Sequence, residues 1–188
     1  MTLRRFPCVN TTLAAAAALL CSLPANAQTG PRDHLTPQEV ERVRDNQELD
    51  KRIEVFIKAI ERRFAAINGA APESKQSPKE VERSGELPKE TRAELLDDIA
   101  KILDEAITNI EDVSLHDEKN SLIRKALRKL AAASNGFLAQ LTAMRGQVSD
   151  ADERDALERA AENVQQILEG ASKLPPSSTE KKPSKRSQ

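Results

Sequence analysis

Residues 121–148, SLIRKALRKLAAASNGFLAQLTAMRGQV, carry the pattern that decides the fold. Ile123, Leu127, Leu130, Ser134, Phe137, Leu141, Met144 and Val148 recur at spacings of four and three without a slip. That period puts them on one face of a helix, in the clearest heptad of the chain. Ser134-Asn135-Gly136 interrupts it, and glycine costs a helix roughly 1 kcal/mol against alanine. The triplet marks a close approach of another helix or a bend, and close packing within the same bundle is the preferred reading.

Working outward in both directions, the same period returns. Upstream, from Pro88, Leu95, Ile99, Ile102, Ala106, Ile110 and Val113 form a stripe that Leu96, Leu103 and Ile107 widen enough to touch two neighbours. Ser114 with Asp117 reads as the N-cap of the heptad helix. Downstream, Gly146 ends that helix, and Ser149 with Asp152 caps a last one, whose buried stripe is Leu157, Ala161, Val164, Leu168 and Ala171. Short turns make neighbours antiparallel, so residues 88–172 are expected to form a three-helix unit. The turn at Ser114 would set Arg124, Arg128 and Lys129 against Asp97, Asp98, Asp104 and Glu105, although a solvated face accounts for each of these charges singly.

Further upstream, Thr36-Pro37-Gln38-Glu39 is a capping box with proline at the first helical position. Ile53, Ile57, Ile60, Phe64 and Ile67 then share one face, and that register carried backwards puts Asn46 and Asp50 on the same seam. Either a polar layer interrupts the stripe of a helix over 37–68 or the helix breaks near Asn46. Unbroken, it would span about 48 Å. Residues 69–87, with Gly69, Pro72, Pro78 and Gly85 among Ser, Lys and Glu, read as a linker or mobile loop. The expected architecture is all-α: an antiparallel helical bundle of three helices in 88–172, closed by the helix at 36–68, with a flexible stretch at 28–35.

The two ends differ from the body. Arg4 and Arg5, an apolar run from Leu13 to Leu23, and Ala25-Asn26-Ala27 make residues 1–27 a secretory signal peptide cleaved after Ala27. The run is too short for a membrane span, which needs about 20 residues. Leu20 ahead of Cys21 argues against a lipid anchor. Cleavage removes Cys8 and Cys21, leaving a periplasmic or secreted chain without disulfides, held by packing. At the other end, 173–188 holds five basic residues and one acid and reads as a disordered basic tail. Lys181, Lys182, Lys185 and Arg186 are its candidate contacts with an anionic surface, and a solubilising tail is the plainer reading.

The 188 residues, 31% of them charged and 2% aromatic, suit one domain with a flexible margin, and 29 basic against 30 acidic residues leave no basic field for nucleic acid. Tyr and Trp are absent, so bases have little to stack on. No phosphate loop, nucleophile elbow or haem motif occurs. His34 precedes the first cap, and His116 is separated from Asp112 by an expected helix boundary, so neither reads as a metal ligand. The chain is expected to need no cofactor and to be no enzyme.

Leu35-Thr36-Pro37, Val43-Arg44-Asp45, the run Gln47 to Arg52, and Phe56, Lys58, Arg62 and Arg63 together resemble a family of signal-peptide-bearing bacterial proteins of unknown activity. Leu103 to Ile107, Asp112 and Lys125 to Lys129 are similar to it as well. The resemblance covers most of 35–172 and implies export and an all-helical build. Leu35-Thr36 also resembles the start of the Leu-Thr-x-x-Gln motif of periplasmic helical chaperones and stress sensors, but Glu39 stands where that motif has Gln, and no second copy occurs.

The function expected is therefore that of an exported scaffold or adaptor acting through protein–protein contact, with the helix at 37–68 and its loop as contact elements and Asn46, Asp50, Phe56 and Phe64 as candidate residues. An envelope or secreted protein is the expected partner. A holdase-type chaperone or envelope-stress sensor, and a carrier of a small ligand or metal, are the alternatives.

Overall fold

Four side-chain caps set the helix starts. Thr36 accepts from the amide of Glu39, Thr91 from Glu94, Asn120 from Leu122 and Asp150 from Glu153. The first two are complete capping boxes, with the glutamate reaching back to the cap amide. A computed structural model describes residues 33–69, 85–117, 119–148 and 150–175. They form α1 (Pro37–Asp45), α2 (Leu49–Ile67), α3 (Arg92–His116), α4 (Ser121–Met144) and α5 (Ala151–Ser172), with a 3-10 turn at Arg145–Gln147. All of them belong to one compact unit, Asp33–Gln188. The signal peptide, residues 28–32, Ser149, the linker from 70 to 84 and the tail lysines Lys181, Lys182 and Lys185 with Arg186 lie outside the described residues.

The bundle is all-α, as the period requires, and its four long helices alternate in direction. α2 runs antiparallel to α3, with Arg52 bonded to Asn109 at one end and Arg63 facing Asp98 at the other. It runs parallel to α4, where Asp50 meets Lys125 and Phe64 meets Phe137, ring centroids 5.6 Å apart. α5 lies parallel to α3, with Arg159 on Asp97 and Asn163 on the Ala100 carbonyl, and packs on α4 as well. Phe56, Ile60, Leu96, Ile99, Leu103, Leu130, Leu141 and Leu157 fill the core.

Sequential neighbours are not spatial neighbours everywhere. α3 and α4, joined by the short turn after His116, lie across the diagonal and touch little, while α2 and α5 fill the corners between them. The expected charge match between those two helices is therefore not made. Lys129 reaches Asp50 and Glu54 on α2, Asp97 takes Lys101 and Arg159, and Glu105 takes His34. The face of α3 widened by Leu96 and Leu103 looks into the bundle's centre, which draws the helix toward both α2 and α5 rather than α4.

Local boundaries moved for local reasons. α3 continues through Ser114 to His116, and Asn120 caps α4 in place of Ser114. α4 stops at Met144, ahead of Gly146, and Val148 follows the 3-10 turn. Gly136 is exposed with open space where a Cβ would stand, so no helix approaches it, and α4 runs through Ser134-Asn135-Gly136 unbroken.

The stretch 37–67 is two helices. α1 ends at Asp45 with Asn46 extended (φ −95°, ψ 95°), and the Asn46 and Gln47 side chains donate to the carbonyls of Arg42 and Arg44 at 2.6 and 2.9 Å. Glu48, also extended, starts α2. The chain thus folds back, and α1 lies along α2 with Glu39 level with Arg62 and Arg63.

Candidate functional site

The fold-back builds a polar cluster inside an apolar setting. Glu39 is 1% exposed, Arg63 1% and Asp98 2%. The Glu39 Oε1 accepts from the Nη1 of both Arg62 and Arg63, each at 2.6 Å, and its Oε2 accepts from the Thr36 amide at 2.9 Å. Arg63 further donates to the carbonyls of Ala59 (3.1 Å) and His34 (2.7 Å) and stands 3.8 Å from Asp98. Arg62 donates to the Gly85 carbonyl at 3.0 Å and to that of Glu86. Two adjacent guanidinium groups therefore tie three segments to α2: the start of α1, the stretch before α3, and α3 itself.

Charge is balanced by burial. Burial would push the Glu39 carboxyl up, but the bond and charge of Arg63, the Thr36 amide and the charge of Arg62 hold it below its ordinary value. The His34 ring bonds to Glu105 on α3 at 2.7 Å. That bond, against some burial and with the charges of Glu105, Asp33 and Asp98, raises the imidazole above its ordinary value. Beside it Leu35 enters the core at 6% exposure, so the residues before α1 form a hook with an apolar barb and an ionic clasp.

A second cluster sits where α2 begins. Asp50, expected on the seam, is there and fully buried, its Oδ2 2.7 Å from Lys125 and 3.3 Å from Lys129. The Lys125 bond lowers its carboxyl against burial, with help from Lys129. Its Oδ1 has no hydrogen-bond partner.

Of the residues singled out from sequence, Asn46 marks the bend and Asp50 pins α2 to α4. Phe56 (0% exposed) and Phe64 (2%), expected as contact residues, fill the core between the chain's own helices, because the stripe that carries them closes the bundle. His116 and Asp112 share one helix after all, with the ring nitrogen Nδ1 2.7 Å from the Asp112 carbonyl oxygen, both side chains exposed.

Sequence reading took Glu39 for a cap alone and passed over His34, Arg62, Arg63, Asp98 and Glu105 as site residues. The usable signal was Arg63, which follows Phe56 and Ala59 at spacings of three and four and so stands on a buried strip. A charged residue in such a place requires partners.

No group of three or more potential metal ligands comes together among the described residues. An open cleft of about 480 Å³ beside the 3-10 turn is edged by Arg145, Val148, Arg154 and Glu158, and a smaller apolar one of about 230 Å³ by Ile107, Leu127, Ile167 and Lys173. No helix is long and apolar enough to cross a membrane among the described residues. Neither a family model, a curated protein nor a solved structure matches the chain.

Proposed function

We propose that this chain is an exported helical-bundle protein that acts by binding another protein, as a scaffold or adaptor, and that α1 is the element it releases to do so. The observation that carries the reading is the way α1 is attached. It rests on α2 behind a three-residue bend, with Val40 and Val43 only partly buried against the core, and its buried residue, Glu39, is a carboxylate held between two arginines. The four long helices consume each other's apolar faces, and among the described residues Leu115 is the one large apolar side chain left exposed. A sizeable contact surface then has to come from moving an element, and α1, nine residues long, is too short to be stable as an isolated helix. A partner supplies the missing surface in the manner of a helix laid in a groove.

α2 belongs to the core, so the informative perturbation stops short of it. Tagged protein comprising residues 28–188 is cross-linked in an envelope extract and the captured proteins are identified by mass spectrometry. Glu39→Gln, which loosens α1, is expected to raise recovery of one stoichiometric partner, and deletion of 33–46 to abolish it. Recovery unchanged by both overturns the reading. A diffuse set of unfolded envelope proteins supports the holdase instead.

A further inference from the structure

We infer that the bond between His34 and Glu105 is a proton-operated latch on α1, closed while the imidazole is charged and loosened when rising pH neutralises it. This rests on the preceding reading in one respect, that α1 is the part that detaches, and it adds what governs the detachment. The hook ahead of α1 supplies the geometry. The Nε2 of His34 lies 2.7 Å from the Oε2 of Glu105 on α3, and its Nδ1 stands 3.8 Å from Asp33. Leu35 follows into the core, and Thr36 then closes the capping box with Glu39 around Pro37. No glycine separates the ring from the first turn of α1, so hook and turn dock as one piece.

Histidine is the side chain whose ordinary value lies near neutrality, whereas carboxyl and guanidinium groups change charge far from it. The chain has two histidines. His116 bonds to the Asp112 carbonyl on its own helix, while His34 joins the hook to α3. Facing His34 are Asp33 beside the ring, Glu105 and Asp98 on α3, and Arg63 on α2, which donates to the His34 carbonyl at 2.7 Å and ties it to Glu39. Three carboxylates around one imidazole favour its charged form.

The sign follows from these groups. The Glu105 bond, against some burial and with the charges of Glu105, Asp33 and Asp98, raises the imidazole above its ordinary value. The latch is therefore fully closed below that ordinary value and loosens as pH rises through the folded one. Glu39 works in the opposite sense and in acid, losing its charge only as pH falls through its lowered value. The His34 side chain is 26% exposed, so protons reach the ring without the hook having to open.

The test follows hydrogen exchange of the chain from residue 28 by mass spectrometry, from about pH 5.5 to about pH 9, as protection relative to the intrinsic rate at each pH. Protection in 37–45 is expected to fall about fivefold to tenfold on the alkaline side, the upper range for a partly exposed ion pair, while α5 stays unchanged. His34→Gln, which keeps an amide donor but carries no charge, is expected to show the alkaline level throughout. His34→Lys, charged across the range, is expected to hold the acid level throughout. In His116→Gln the proton NMR titration of the remaining histidine is expected to run in step with the loss of protection. Wild-type protection independent of pH overturns the inference, as does a pH dependence that persists in His34→Gln. If His34→Gln fails to fold, Glu105→Gln, expected to be equally flat, decides in its place. Partner capture raised by Glu39→Gln alongside pH-independent protection leaves the proposed function standing and removes only the latch, whereas a working latch with no α1-dependent capture does the reverse.

Discussion

Replacing Glu39 by Gln removes one charge and almost no volume, and it keeps the acceptor that the capping box needs. Arg62 and Arg63 are left as buried cations without their shared anion. Removing one member of a buried ion pair costs about 3–5 kcal/mol, and because both arginines retain carbonyl acceptors and Arg63 keeps Asp98 nearby, the lower end, about 3 kcal/mol, applies here. That cost does not fall evenly. Undocking α1 lets water reach the guanidinium groups while the four long helices stay packed, so the penalty is met by opening α1 rather than by unfolding the bundle. Native-state hydrogen exchange read by mass spectrometry is expected to show protection in 37–45 falling about 100-fold, with α3 and α5 changed by no more than a few-fold. Equal loss of protection through α2 to α5 would show that the cluster holds the whole bundle. No change in α1 would show that the remaining acceptors satisfy both arginines, and either result refutes the argument.

The same groups predict a pH profile. His34, raised in the folded state, contributes stability that is fully present below its ordinary value and lost as pH rises through its folded value, whereas Glu39 and Asp50, both lowered, contribute above their ordinary values and lose it as pH falls through their folded ones. Urea midpoints are expected to peak between those ranges, and His34→Ala to flatten the alkaline side alone. Asp50→Asn is expected to cost less than Glu39→Gln, about 1–2 kcal/mol by urea unfolding, because Lys125 is 58% exposed and both lysines can swing into water. Ser134→Ala is expected to be neutral or to stabilise by up to about 1 kcal/mol, raising Tm by a few degrees, since the buried Ser134 hydroxyl has no partner to lose. Phe64→Ala, by contrast, opens a cavity against Phe137 and is expected to cost about 3–5 kcal/mol.

What the sequence determined by itself was everything that depends on neighbours three or four residues apart. The stripes of α2, α3, α4 and α5, the capping box at Thr36, and hence an all-helical bundle follow from spacing alone, because a helix's faces and its orphan amides are local matters. The box at Thr91 and Glu94 was equally legible and gives the start of α3 more sharply than Pro88 does. Tertiary structure decided what local spacing does not encode. It set α3 and α4 across a diagonal, because a face wide enough for two neighbours does not say which two. It bent the chain at Asn46, where a continuous register is equally compatible with a straight rod, because burying Leu35 and joining Glu39 to Arg62 and Arg63 compensates for the three helical residues given up. And it turned a cap, two arginines and a histidine into one site, since the partners of a buried charge lie 23 to 71 residues away in sequence and meet only once the helices have packed.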